Sequence, residues 1–280
     1  MKHLSTDALR SFVAVIEFGG ITAAGERLGR SQPAISIQIK KLEQQLGAEL
    51  LQRQGQRLSL TPDGERVYDY AQRIISLHEQ LLAQFQPQAV SGDIRLGITS
   101  EFASSLLPNV LGQFAQVYPQ IALQVTSALS KDLFAGLGER FDMILALREQ
   151  RNPNDMLLQN DALVWVGTPA AFEQRPLPLV VAPEGCIYRK RAEQALQRAR
   201  IDYRISYTNS DYSGLTAALN SNLGVTVLAK STIPDSQSLI SSPQLKERLP
   251  SPGDINIVLR LDSRASSAAK QLAEYLSARI

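Results

Sequence analysis

The chain has 280 residues, is 44% apolar and 20% charged, and carries a net charge of +2, a size that suits two domains and a composition that suits a globular protein. One cysteine, Cys186, and two histidines, His3 and His78, exclude an internal disulfide, a histidine-rich metal cluster and a Cys-x-x-Cys site. So small a net charge does not by itself point to a polyanion partner.

The first 86 residues read as helical. Leu9, Phe12, Val13 and Ile16 recur at helical spacing in a helix from Asp7 to Gly19. An alanine-rich helix, Thr22 to Leu28, follows, then a tight turn at Gly29-Arg30. Ser31 is a good N-cap and Pro33 suits a first turn, where a missing N–H costs nothing. That helix runs to Leu46 and stops at Gly47. In ELLQRQGQRLSLT two short arms flank Gln54-Gly55-Gln56, with Arg53 and Arg57 beside the tip, which predicts a β-hairpin. Thr61-Pro62-Asp63 opens a long helix to about Phe85. Its Val67, Tyr70, Ile74, Leu77 and Leu81 step by three and four, the seam of a helix that packs along another, so dimerisation is expected there. Pro87 to Gly92 is a linker.

From Asp93 strands and helices alternate. DIRLGIT, IALQVTSA and FDMILAL are strands, with helices Leu106 to Tyr118 and Lys131 to Arg140 between them. ALVWVGTP, PLPLVVAP, YRISYT and VTVLA are further strands, with helices Tyr188 to Ala199 and Asp211 to Asn220. INIVLRL is a last strand and Ala265 to Ile280 a last helix. Alternation of this kind predicts parallel βα units in two small lobes, with ligands bound in the cleft beyond the strand ends.

MKHLSTDALR has no apolar signal core, and no apolar run approaches the roughly 18 residues of a spanning helix, so a soluble cytoplasmic protein without a membrane partner is expected. No Gly-rich nucleotide loop and no nucleophile elbow is present, so neither an enzyme nor a cofactor is expected.

On the helix after Ser31, Ile35, Ile39, Leu42 and Leu46 share one face. Pro33, Ser36, Ile37, Lys40, Lys41 and Gln44 lie opposite, with Gln32 at the tip. Helix, glycine turn and helix with polar groups at its tip is the layout that enters the DNA major groove. Gln can bond adenine bidentately and Ser several base edges, while Lys40 and Lys41 reach phosphates. The hairpin arginines suit a wing over a narrow minor groove. Locally Arg27, Arg30, Lys40, Lys41, Arg53 and Arg57 outnumber Glu26, Glu43 and Glu49. A solvated helix face is the plain alternative for the helix alone; the full order of helix, helix, turn, helix, wing and long helix favours DNA. Ile37 gains nothing from facing water, and either contacts a thymine methyl or is a harmless exposed apolar residue.

With these residues in view, LRSFVAVIEFGGITAAGERLGRSQPAISIQIKKLEQQLGAELLQRQGQRLSLTPDGE, Leu9 to Glu65, resembles the LysR-type transcriptional regulators. GLTAALNSNLGVTVLA, Gly214 to Ala229, is similar to the helix, turn and strand of that family's second lobe. The resemblance implies a winged helix-turn-helix (1–61), a dimerising linker helix and hinge (62–91), and a two-lobed, periplasmic-binding-protein-like effector domain (92–280). Lobe one would take about 92–160 and 262–280, and lobe two about 161–261. The resemblance puts base reading on Gln32, Pro33 and Ser36 and a wing role on Arg53; with the charges and flanking groups, the DNA-facing set is Arg30, Ser31, Gln32, Pro33, Ser36, Ile37, Lys40, Lys41, Arg53 and Arg57. The family often has arginine where Ile37 stands and phenylalanine where Leu51 stands. Its members commonly form tetramers from dimers of dimers, and RNA polymerase is a candidate further partner.

The resemblance also implies a small-molecule effector between the lobes, near Thr99, Ser100 and Glu101; Ser127 and Ser130; and Thr208, Asn209 and Ser210. N–H groups at Ser100–Phe102 suit an anion. Glu101 argues for a cation instead, and Arg148 would supply a counter-charge at the cleft mouth. The alternative is that these residues only cap helices. Cys186 precedes a helix, where a thiol pKa can fall, but reads as an ordinary half-buried cysteine rather than a redox sensor. Trp165 reads as lobe packing. The expectation is a DNA-binding regulator under effector control. Two rivals are a ligand-binding protein or enzyme with an assembly module, and a DNA-binding protein that has lost its ligand.

Overall fold

The computed structural model describes residues 4–54, 57–84, 90–106, 110–233, 239 and 249–279. His3, Gly55, Gln56, Phe85 and Pro87 lie outside them, as do the side chains of Arg53 and Arg57. The chain divides into two compact units, in the main residues 1–89 and 90–280.

In the first unit α1 (Thr6–Glu17), α2 (Ile21–Leu28) and α3 (Gln32–Leu46) pack on one another. Their apolar faces meet in a core that includes Leu9, Phe12, Val13, Ile35, Ile39, Leu42 and Leu50. Burying each such side chain stabilises the unit by roughly 1.5–3 kcal/mol. The turn between α2 and α3 depends on two glycines. Gly29 has φ +61°, and a Cβ on Gly25 would stand 2.7 Å from the Arg30 carbonyl oxygen. Ser31 caps α3 by accepting the Ala34 N–H at 3.4 Å, and Gly47 ends it in the left-handed region.

The expected hairpin is β1 (Leu51–Gln54) with β2 (Arg57–Leu60), antiparallel, with Leu51 opposite Leu60 and Gln54 opposite Arg57. Thr61 then starts α4 (Pro62–Gln84): its Oγ1 accepts the Gly64 N–H at 2.9 Å and donates to the Glu49 carbonyl at 2.7 Å.

The second unit is built on an eight-stranded sheet. Its elements are β3 (Gly92–Ile98), α5 (Ser100–Leu106), α6 (Gly112–Val117), β4 (Ile121–Ser127), α7 (Ser130–Gly136), β5 (Met143–Arg148) and β6 (Met156–Gly167). They continue with α8 (Pro169–Glu173), β7 (Leu177–Val181), α9 (Ile187–Arg198), β8 (Tyr203–Thr208), α10 (Tyr212–Asn220), β9 (Val225–Ala229), β10 (Asp254–Leu261) and α11 (Ser267–Ser277). The strand order is β4-β3-β5-β10-β6-β9-β7-β8. The helix expected from Leu106 to Tyr118 is found in its described part as α6, residues 107–109 lying outside the described ones, and α5 precedes it. The chain turns helical directly off β3, where the Thr99 carbonyl takes the Ala103 N–H at 3.0 Å. The helix expected to reach Arg140 ends at Gly136, because Leu137 leaves the helical region with ψ 131°.

Parallel pairing holds for β3 with β4 and β5, and for β7 with β8 and β9. It fails in the middle of the sheet: β10 is antiparallel to β5 and β6, and β6 to β9. A strand's direction is set by the end of the sheet at which the chain re-enters it, and the strand's own sequence does not encode that. The resemblance implies a return to the first lobe at about 262; in the sheet, Asn256–Leu261 of β10 pairs with β5. β6 is long enough to serve both lobes, with Met156–Ala162 on β10 and Leu163–Gly167 on β9. Trp165 is buried there and donates to the Pro250 carbonyl at 2.8 Å.

Candidate DNA interface and effector cleft

The α3 tip presents Ser31, Gln32 and Pro33 to solvent, followed by exposed Ile37, Lys40 and Lys41 and half-buried Ser36. Ile37 is 67% exposed, while Ile35, Ile39 and Leu42 behind it are buried. Arg30 differs from this set: its guanidinium pairs with Asp7 at 2.9 Å at the start of α1, an exposed pair worth well under about 1 kcal/mol. Gln38 turns inward and accepts the hydroxyl proton of buried Ser11. Arg27, counted from the sequence among the basic groups, stacks 5.4 Å from the Phe18 ring centroid. Glu43, counted against them, takes the Leu50 N–H at 2.8 Å.

Helix α4 has two apolar faces. Val67, Tyr68 and Ile75 pack, with Ala71, into the core of the head. Tyr70, Ile74, Leu77 and Leu81 lie on the other, with Leu77 63% and Tyr70 65% exposed. Val67 therefore leaves the expected seam and joins the core; the other four form an unbroken exposed stripe.

A cleft of about 230 Å³ opens in the second unit. It brings together Thr99, Ser100, Glu101, Ser127, Ser130 and Ser210 from the expected set. Arg148, Thr208 and Asn209 do not line it. Arg148 is held elsewhere, paired with the fully buried carboxylate of Asp155 and stacked 3.8 Å from the Phe134 ring centroid. Asn209 donates to the Tyr207 hydroxyl at 2.9 Å and accepts the Asp211 N–H at 2.9 Å, which fixes the turn into α10. Ser130 has a second task, accepting the Leu147 N–H at 3.0 Å. Tyr188, Tyr212, Cys186, Asp211, Leu215 and Leu228 complete much of the wall.

Glu101 is the unusual group. It is buried at the start of α5, and burial pushes its carboxyl above the usual carboxylate range. Thr99 and Tyr188 stand close enough to draw it partly back. Even so, Glu101 Oε1, Thr99 Oγ1 and Tyr188 OH have no partner at hydrogen-bonding geometry. A buried carboxyl here disfavours the anion that the Ser100–Phe102 amides alone would suit. Burial also raises the Cys186 thiol pKa, so its place before α9 does not make it a thiolate. Among the described residues no His, Cys, Asp and Glu cluster is placed to hold a metal ion.

Residues 6–65 match the model of the bacterial regulatory helix-turn-helix protein, lysR family, and residues 87–280 match that of the LysR substrate binding domain. The chain belongs to the LysR family. It is a DNA-binding transcriptional regulator with a substrate-binding effector domain. This LysR regulator is 32% identical to the HTH-type transcriptional regulator DgdR of Burkholderia cepacia, over 99% of this chain and 95% of that one. It is 29% identical to the HTH-type transcriptional regulator PecT of Dickeya dadantii, over 80% of this chain and 72% of that one. The fold is shared with the LysR family regulator VV2_1132 (TM-score 0.53, 19% identity, 98% and 99% of the two chains). It is also shared with HinK of Pseudomonas aeruginosa (TM-score 0.50, 19% identity, 98% of each).

Among the cleft residues of this LysR regulator that sequence reasoning missed are two aromatic ones carried by helices. Tyr188 and Tyr212 sit in the first turns of α9 and α10, where an aromatic residue reads as core. The one signal available was their position: each immediately follows a strand-to-helix turn that faces the strand ends.

Proposed function

We propose that the regulator reads its operator with α3, with Gln32, Pro33 and Ser36 on base edges, Ile37 on a thymine methyl and Lys40 and Lys41 on phosphates. Arg53 and Arg57 of the wing follow the minor groove, and Arg30 and Ser31 flank the entry. The observation that supports this reading is the exposed α3 tip on a helix-turn-helix with a tight glycine turn and a serine cap before it. Residues 1–61 form the head, 62–91 the linker and hinge, and 92–280 the effector domain. Two copies associate through Tyr70, Ile74, Leu77 and Leu81 of α4, and dimers pair into tetramers. An effector in the cleft, on Thr99, Ser100, Glu101, Ser127, Ser130 and Ser210, shifts the balance between lobe arrangements. The linkers pass that shift to the heads and, through them, to RNA polymerase. The protein works in the cytoplasm as a switch and not as a catalyst.

The test is binding of the full-length protein, at physiological salt, to the DNA upstream of its own gene and its neighbours. A clear preference over random duplex is expected, and equal affinity for both would end the regulator reading at this level of detail.

A further inference from the structure

The walls of the cleft are unbalanced in charge. Among the described residues lining it there are two carboxyl side chains, Glu101 and Asp211, and no lysine, arginine or histidine. Asp211 is already engaged. It caps α10 by accepting the Gly214 N–H at 3.4 Å, and it also takes the Ser213 hydroxyl. Glu101 is only 7% exposed, and its Oε1 lacks a partner at hydrogen-bonding geometry, as do Thr99 Oγ1 and Tyr188 OH beside it. The titratable groups that face it from the packed elements are Tyr188 and Cys186 at the start of α9 and Tyr212 of α10. None of these is a cation at any pH. A buried carboxylate without a cation is costly, and Thr99 and Tyr188, which stand near it without good hydrogen-bonding geometry, offset that only in part. The rest of the wall is largely apolar, with Leu147, Ala182, Ile187, Leu215 and Leu228.

We propose that the effector is a small amine whose ammonium group docks on Glu101. An ammonium has three N–H donors and no acceptor. Glu101 Oε1, Thr99 Oγ1 and Tyr188 OH, none of them engaged at good hydrogen-bonding geometry, give it three acceptors. A short aliphatic body lies against Leu147, Leu215 and Leu228. The volume of about 230 Å³ is below the roughly 300–1,000 Å³ of drug-sized sites, so the body is small. This assignment rests on the effector-cleft reading above and names the chemistry of its ligand.

The probes are n-butylamine, n-butanol and butyrate, which share one carbon chain and differ in charge, with 2-aminobutyrate as a fourth. Each is titrated into the full-length protein while thermal stability and heat of binding are followed. Butylamine is expected to raise the melting temperature saturably, with butanol and butyrate at least tenfold weaker. Under the same assignment 2-aminobutyrate tells whether the ammonium belongs to a plain amine or to an amino acid. Binding to butylamine or to 2-aminobutyrate supports the proposal. Glu101→Gln is expected to remove the amine response while operator binding persists. Butyrate or butanol binding as tightly as the amines would keep the cleft and overturn the amine. An unaltered response in Glu101→Gln would overturn it too. If no probe binds up to tens of millimolar while the operator is still held, the amine assignment falls and the regulator reading stands. Should Glu101→Gln fail to fold, the comparison of charges on the unaltered protein decides alone.

Discussion

Glu43 of α3 holds the approach to the wing: its Oε1 accepts the Leu50 N–H at 2.8 Å and the Leu51 N–H at 3.4 Å. One carboxylate thus ties α3 to the hairpin. Removing it leaves a buried backbone donor near Leu50 unmatched. Glu43→Ala should cost about 1–2 kcal/mol in chemical denaturation, with Glu43→Gln recovering part of it. A variant as stable as the parent would show that the bond contributes nothing.

The two glycines of the α2–α3 turn are required for different reasons, so their alanine variants should differ. At Gly29 the strain is only that of φ +61°, about 1 kcal/mol. At Gly25 a methyl group meets the Arg30 carbonyl at 2.7 Å and must push the turn open. Gly25→Ala should cost roughly 1–3 kcal/mol and also weaken DNA binding by tilting α3. Equal losses of stability with unchanged affinity would contradict this.

On DNA, Gln32→Ala should relax preference at particular base pairs by roughly 1–3 kcal/mol. Lys40→Ala should weaken all duplexes alike and reduce the salt slope by about 0.9. Ile37→Arg should change the preferred operator in a selection from random sequence. The same consensus from both proteins would remove the thymine contact.

The stripe on α4 makes a prediction with its own control. Leu77→Glu should shift the sedimentation profile to smaller species while the head still melts cooperatively. Val67→Glu faces the core of the head and should unfold it. A dimer that survives Leu77→Glu would move the interface elsewhere.

For Glu101, the folded-state pKa lies above the unfolded value of about 4.3, and burial is the main cause. The neutral acid is therefore favoured by folding, and its contribution is complete below about 4.3 and lost as pH rises through the folded pKa. Without effector, Glu101→Gln and the parent should differ by a constant amount at low pH, and the variant should gain on the parent as pH rises. Asp142 and Asp262, held low by Arg95 and by the Arg264 backbone, act in the opposite sense but cancel in the comparison. Urea denaturation from pH 4 to 8 checks this; parallel curves would mean that Glu101 does not change its ionisation on folding.

The head was largely legible because its signals are local. Ser31 and Gly47 bracket α3, and the period of Ile35, Ile39 and Leu42 fixes its buried face. The cleft was legible where polar residues stand at or just past strand ends, as at Thr99, Glu101, Ser127 and Ser130. Arg148 stands at such an end, yet its side chain follows Asp155, a partner on another strand approach that no spacing announces. Val67 shares the three-four step of the exposed stripe, and only the position of α1 decides that it turns inward. The antiparallel entry of β10 depends on a return path set by the whole sheet.

That sheet has a mechanical consequence. The halves of the effector domain are joined through β6 and β10, which run side by side across the boundary, with Asn160 donating to Asn256 at 3.1 Å and Asp161 taking the Ser231 N–H at 2.8 Å. Two hydrogen-bonded strands act as a leaf spring: stiff to stretching, compliant to torsion. A change in cleft width would be taken up most easily as rotation along this ribbon. If an effector moves the halves, the signal leaving the domain would be an angle about an axis that the ribbon sets.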